Sequence, residues 1–309
     1  MKLLAVGTVA FDCVETPFGK RDDILGGSVS YLGTSASYFG DVQMVSVIGE
    51  DFPEETLKTF ESRGIDIEGV RRLPGGKTFR WRGHYMDDIN EAKTLETQLN
   101  VLEAFDTTLP PHYRETKNIV LGNIAPNLQT EVLDQILDPQ LVAADTMNFW
   151  IDGARDDLEK VIKRVDILSI NDGEAKMLSG KKNLVDAATE IRKMGPDMLV
   201  IKRGEHGALA FYKDEMFSAP AYPLKEVVDP TGAGDSFAGG LMGYLTRVGK
   251  VDAQTFRQAV LMGSVMASYN VQDFSLGQLA ALSPSLIRDR IREFHRLIHV
   301  NVDGIDVDF

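Results

Sequence analysis

The densest chemical spacing in this chain is Val228-Asp229-Pro230-Thr231-Gly232-Ala233-Gly234-Asp235-Ser236-Phe237-Ala238-Gly239-Gly240. Gly232 and Gly234 leave a bare backbone where a helix is expected to start, and Asp235 falls just inside that start. Free N–H groups at a helix N-terminus attract anions, and glycine lets an anion come close. A carboxylate beside such a cradle can take a proton from an attacking hydroxyl. Cradle and base together suit phosphoryl transfer to an alcohol. The plainer reading is a glycine-rich strand-to-helix turn, but such a turn needs neither the acid at Asp235 nor the one at Asp229. The segment is not a Walker A loop, which this chain lacks. It is not a dinucleotide fingerprint either, because Phe237 stands where the third glycine belongs.

These residues need a scaffold, and the rest of the chain alternates strand and helix signals. Strands are expected at residues 3–6, 42–48, 118–121, 141–144, 167–170 and 198–201, with a hairpin over 208–218. Helices are expected at residues 27–39, 54–62, 128–137, 172–178, 233–246, 253–269 and 285–299. That order predicts a mainly parallel sheet covered by helices on both faces. One region breaks the alternation. Residues 78–86 read as a strand, residues 93–105 as a weaker one, and residues 10–18 would join them in a small β insertion. Phe79 and Trp81 alternate with Arg80 and Arg82, so the aromatic pair shares one face. That face would wall an acceptor or pair two copies in a homodimer. The last helix carries Leu286, Ile287, Ile291, Phe294, Leu297 and Ile298 as a stripe for core or subunit contact. The tail at residues 302–309 holds three aspartates and is expected to fray.

The 309 residues suffice for one large α/β domain or two smaller ones. Lys plus Arg is 33 and Asp plus Glu is 46, a net charge of −13 that argues against nucleic acid as the main partner. A small phosphorylated ligand is still allowed, because a local cradle overrides net charge. Cys13 is the only cysteine, which leaves no intramolecular disulfide and no cysteine zinc site. The first apolar run is too short for a signal peptide. No stretch of about 18 apolar residues exists to cross a membrane. A cytoplasmic protein is the expectation.

The segment from Asp229 to Phe237 resembles the C-terminal signature of the ribokinase-like (PfkB) carbohydrate kinases. So do other positions in order along the chain: Gly26-Gly27 before a small-residue helix ending Phe39-Gly40, Gly49-Glu50-Asp51, Gly64-Ile65, Asn171-Asp172-Gly173-Glu174, and Lys202-Arg203-Gly204-Glu205-His206-Gly207. The resemblance implies a three-layer α/β sandwich, one domain over residues 1–309, with a lid from residues 10–24 and 75–106. It implies ATP, Mg²⁺ and transfer to a hydroxymethyl group of a small sugar or sugar derivative. A nucleoside kinase is the alternative, with Tyr31, Phe79 and Trp81 stacking on a base. A non-catalytic sugar or nucleotide sensor is a further one. Asp235 would be the base, its ionised form favoured by the helix dipole. Gly232, Ala233 and Gly234 would form the anion hole. Asp12, Gly26, Gly27, Tyr31, Phe79, Trp81 and Asn123 would meet the acceptor, the two glycines by letting the sugar approach the backbone. Lys202, Gly204, Gly207 and Asn171 would meet the nucleotide. Glu174 would hold Mg²⁺ through water, although a plain helix N-cap by Asn171 or Asp172, with Glu174 only favouring the dipole, fits as well. Asp229 and Thr231 match positions where some members hold K⁺, with Ser275 completing the site. Tyr31 replaces the ribokinase asparagine, and Gly122-Asn123-Ile124-Ala125-Pro126 lacks the usual glutamate. Both departures argue against ribose itself.

Overall fold

The computed structural model describes residues 1–86, 89–90 and 92–299. Its strands are β1 (Leu3–Val6), β2 (Ala10–Thr16), β3 (Gly19–Gly26), β4 (Val42–Gly49), β5 (Ile65–Leu73), β6 (Phe79–Tyr85), β7 (Ala92–Gln98), β8 (Asn118–Leu121), β9 (Leu141–Ala144), β10 (Ile167–Asn171), β11 (Met198–Lys202), β12 (Ala208–Tyr212) and β13 (Glu215–Ala219). Its helices are α1 (Ser28–Ala36), α2 (Glu54–Glu61), α3 (Pro126–Leu133), α4 (Asn148–Gly153), α5 (Arg155–Ile162), α6 (Asp172–Ser179), α7 (Leu184–Arg192), α8 (Ala233–Val248), α9 (Ala253–Asn270), α10 (Gly277–Ala280) and α11 (Pro284–Ile298).

Nine strands form one sheet in the order β13-β12-β11-β10-β9-β8-β1-β4-β5. All neighbours run parallel except at the β11-β12-β13 edge. The central strands are continuous apolar runs because both faces are covered. On β1 the side chains alternate between two cores. Leu3 and Ala5 join Leu32, Phe237, Leu241 and Phe256 on one side. Leu4 and Val6 join Val132, Leu158, Leu178 and Ile191 on the other. Helices α1 and α8 pack closely enough that a Cβ on Gly239 would lie 2.3 Å from the Leu32 carbonyl oxygen. Ser35 Oγ donates to the Ser236 carbonyl at 2.7 Å, so the end of α1 is tied to the start of α8.

The second sheet has the order β3-β2-β6-β7. β2 pairs with β6 in parallel and with β3 antiparallel. The expected join through residues 10–18 is therefore a strand of its own, turned back at Gly19 into a β3 that the charged run Lys20-Arg21-Asp22-Asp23 concealed. The weak strand over residues 93–105 ends at Gln98. Val101 and Phe105 are then carried into the second core from a 3₁₀ turn. β5, α5 and α7 were not expected. The C-terminal stripe is only half core: Ile287 and Phe294 are buried, while Leu286, Leu297 and Ile298 are exposed. The expectation for the tail lies outside the described residues. Among those described, no helix is long and apolar enough to cross a membrane.

Candidate active site

The loop between β13 and α8 is shaped by Asp229, which is fully buried. Its Oδ1 accepts the Thr231 N–H at 2.9 Å and its Oδ2 accepts the Ser275 N–H at 3.3 Å. Asn270 Nδ2 donates to the Thr231 carbonyl at 2.8 Å. Gly232 then takes φ 74°, which disfavours any side chain. Space demands glycine as well, since a Cβ there would lie 2.3 Å from the Tyr31 ring. Ala233 donates to Pro230 and Ser236 to Gly232. Among the described residues no backbone carbonyl accepts the N–H of Gly232 or Gly234. These donors are left for an anion at the positive end of a sixteen-residue helix. Lys202 reaches the same place, its Nζ 2.9 Å from where a Gly234 Cβ would be.

Around Lys202 stand Asp145, Glu174 and Asp235. Lys202 Nζ donates to Asp145 Oδ2 at 3.2 Å. Burial alone would lower the Lys202 ammonium, but the three acids outweigh it and hold the pKa above its usual value. Burial and then Asp145 push Asp235 well above the carboxylate range, with Lys202 pulling it back only in part. Burial and Asp145 thus act on Asp235 against the helix dipole, which favours its ionised form. Burial and then Asp145 also raise Glu174 to about 7. Its Oε2 accepts the Asn171 N–H at 2.8 Å while Asn171 Oδ1 accepts the Glu174 N–H at 2.7 Å. This is a reciprocal capping box: Asn171 rather than Asp172 is the cap, and Glu174 returns a bond to it in addition to favouring the dipole. Asn171 spends its side-chain oxygen on the helix. Glu174 Oε2 is thus engaged by the cap, and the group still feels the charges of Asp145 and Lys202. Three acids around one ammonium suit a divalent cation, which would relieve their crowding.

On the acceptor side Asp12 is buried, and burial followed by the Asp229 charge raises it to about 8. Gly26 makes room for Asp12 itself: a Cβ there would lie 1.9 Å from Asp12 Oδ2. Gly27, at φ 88°, abuts the Thr8 carbonyl, where a Cβ would lie 2.4 Å from the oxygen. The two glycines thus accommodate a side chain and a strand, where a sugar had been expected. The register pairs Asp12 with Trp81 across β2 and β6, placing both on one face of the small sheet. Ala10 and Phe79 pair two residues earlier on that face. Phe79 and Trp81 are half-buried, and Trp81 Nε1 donates to Thr94 Oγ1 at 3.2 Å. Tyr31 is only 1% exposed and its ring bears on Gly232. It is a bed for the anion loop, and that covered face cannot stack on a base. Asn123 lies at the end of β8 and accepts the Trp150 indole N–H at 2.8 Å.

Gly207, at φ 80°, is required by the hairpin, because a Cβ would sit 2.0 Å from the Ala219 carbonyl. Gly204 faces Asn90 from the β6–β7 connection, and Asn90 Nδ2 donates to Glu205 Oε2 at 2.7 Å. Asp145 and Tyr85 were missed as site residues. Asp145 ends a parallel strand, where such sheets place ligand residues. Tyr85 continues the alternation of Phe79 and Trp81, and its OH accepts the Thr231 hydroxyl at 3.1 Å.

Residues 28–280 match the model of the pfkB family carbohydrate kinases. The chain belongs to that family. It is 34% identical to the cytidine kinase of Thermococcus kodakarensis over 251 residues, 79% of this chain and 88% of the relative. The fold is ribokinase-like. The Thermotoga maritima ribokinase structure superposes with a TM-score of 0.74 at 19% identity, over 94% of this chain and 99% of the other. The Burkholderia thailandensis nucleoside kinase in complex with inosine superposes at 0.76 and 23% identity, over 96% and 98%. As a kinase of this family the chain uses ATP and Mg²⁺.

Proposed function

We propose that this kinase phosphorylates the hydroxymethyl group on the sugar of a nucleoside. One observation carries the reading: Asp12 and Trp81 lie side by side on one sheet face. A carboxylate that binds sugar hydroxyls next to an indole that covers a planar base fits a nucleoside better than a free sugar. The likeness to a cytidine kinase supports the same choice. The sequence alone had favoured the small sugar.

In this reading Asp235 takes the proton of the attacking hydroxyl. The N–H groups of Gly232, Ala233 and Gly234 stabilise charge on the transferred group, and each such donor is worth about 10²–10³ in rate. Lys202 adds a fixed positive charge beside Gly234. Mg²⁺, when bound, would be held by Glu174 and Asp145 through water and would neutralise phosphate charge. Gly204 and Gly207 shape a turn for the nucleotide. The small sheet acts as a lid that excludes water. Asp229 spends both oxygens on backbone N–H groups, which supports a loop-building role at least as well as a K⁺ site. β7 is exposed along its whole length at the end of the small sheet, which would let a second copy pair there in a homodimer.

An ADP-release screen with Mg²⁺, with and without K⁺, tests the reading over cytidine, uridine, adenosine, inosine, ribose, fructose and a keto-deoxy acid. Turnover of nucleosides is expected. Turnover of free sugars alone would sink the nucleoside assignment, and ligand binding without any turnover would favour a sensor.

A further inference from the structure

Three metal-ligating side chains meet away from the transfer chemistry. Asp66 and Glu68 lie on β5, and His112 lies on the 3₁₀ turn Pro111–Glu115. One ligand atom from each lies within 4.8 Å of the others. β5 is an edge of the large sheet, and Asp66 pairs with Gln43 near the start of β4. The parallel strands carry Asp145 and Lys202 at their opposite ends, so this cluster is not part of the active site.

Local structure brings the three together. Between Asp66 and Gly69 the strand holds one residue more than β4 does between Gln43 and Val45, a bulge that re-aims side chains. The Glu68 N–H donates to Asp66 Oδ1 at 3.1 Å. His112 is set by buried Tyr113, whose ring it meets edge-on with centroids 4.7 Å apart at 80°. The Tyr113 hydroxyl in turn donates to the Asp66 carbonyl at 3.0 Å. His112 Nε2 thereby stands 3.2 Å from Asp66 Oδ2.

That spacing fits a metal ion. Bonds of about 2.0–2.2 Å put neighbouring ligands of a tetrahedral ion about 3.3 Å apart. Two ligands are therefore already in place. Glu68 is exposed, and a change of rotamer closes the remaining distance. Glu61 lines the same groove as Asp66 and Glu68, from which water would complete the shell. Burial would raise Asp66, but the hydrogen bonds it accepts outweigh that and hold its carboxyl below the usual value. Carboxylates alone suit Mg²⁺ or Ca²⁺. An imidazole nitrogen among them turns the preference to Zn²⁺ and its neighbours in the first transition row.

We propose that Asp66, Glu68 and His112 bind a Zn²⁺-type divalent ion, which takes the place of the proton between His112 Nε2 and Asp66 Oδ2. The neutral ring then keeps its proton on Nδ1. The span from Asp66 to His112 holds β6 and β7, half of the small sheet. The ion clips the two ends of that span, and a clip across a long loop is where the saving in chain entropy is largest. Its role is structural and separate from that of the catalytic Mg²⁺.

The test uses the full chain, stripped of metal with a chelator and then held in excess Mg²⁺ so that the catalytic acids are occupied. Calorimetric titration with ZnCl₂ is expected to find one Zn²⁺ bound per chain, and saturating Zn²⁺ is expected to raise Tm by about 3 °C. His112→Ala should lose both effects. Glu68→Gln should weaken Zn²⁺ at least about tenfold, since even the loss of a group behind a ligand costs that much. His112→Gln repeats the test if the alanine variant melts early. His295 on α11 and His299 just past it, with ring centroids 5.0 Å apart, are a competing pair for Zn²⁺. His295→Ala should leave the bound ion in place. Absence of Zn²⁺ binding, binding that survives His112→Ala, or binding lost with His295→Ala would overturn the inference.

Discussion

At the scale of single residues the acids disagree with their ordinary titration, and that has measurable consequences. Asp235 must be ionised to act as a base, yet burial and Asp145 raise its pKa. kcat should therefore fall toward acid pH, along a limb set well above the usual carboxylate range. A profile flat down to pH about 4, the reference range for carboxylates, would contradict this. Asp235→Asn should reduce ADP release by about 10³-fold while calorimetry finds ATP binding intact. Asp12 gives a stability effect whose sign is fixed. Its folded pKa of about 8 exceeds the ordinary 3.8, so between these values the folded state holds the extra proton. That contribution is complete below the unfolded pKa and is lost as pH rises through the folded one. Wild type should lose Tm relative to Asp12→Asn between pH 5 and pH 8.5, a window inside that range on its lower side and just past it above. Parallel melting curves for the two proteins would contradict the burial effect.

At the scale of elements, two helix starts define the site. Gly232 caps α8 in a left-handed conformation against the Tyr31 ring. Gly232→Ala meets both penalties, so it should cost about 1–3 kcal/mol of stability and displace the anion hole. Lower Tm together with a kcat loss of about 10²-fold checks it. At α6, Glu174 both caps the helix and lies among the acids. Glu174→Gln keeps an oxygen for the Asn171 N–H but removes the charge. It should melt no lower than wild type while needing more Mg²⁺ for half-maximal rate. A lower Tm with an unchanged Mg²⁺ requirement would leave Glu174 as a cap alone. These cases show what was legible in the sequence. The apolar strands at residues 3–6, 118–121 and 141–144 announced themselves, since a strand buried on both faces carries no polar interruption. The anion loop was legible because Asp229 and Asp235 flank its glycines, and a plain glycine-rich turn needs neither acid. β3 was hidden because its charged residues are a solvated edge, which alternation does not mark. Asp145 was hidden because its role depends on Lys202, fifty-seven positions away, and only the fold brings them together.

At the scale of the whole molecule, the small sheet must act on chemistry held in the large one. Among the described residues, three contacts join the two beside the anion loop. Ser275 Oγ donates to the Leu25 carbonyl at 2.5 Å, Arg21 lies 4.7 Å over the Phe274 ring, and Thr231 Oγ1 donates to Tyr85 OH at 3.1 Å. The last reaches the anion loop directly. Tyr85 is buried between Val14 and Phe274, so a phenylalanine would keep the packing and lose the bond. Loss of one such hydrogen bond costs about 1 kcal/mol, or roughly fivefold in a rate that depends on it. Tyr85→Phe should therefore lower nucleoside phosphorylation about fivefold. ADP release without acceptor should not fall with it, because water enters more freely when the sheet is not held to the loop. The ratio of product to ADP is the quantity to follow. If both activities fall in step, Tyr85 only supports the loop. If the ratio alone falls, closure of the small sheet is what directs the phosphoryl group to the acceptor in preference to water.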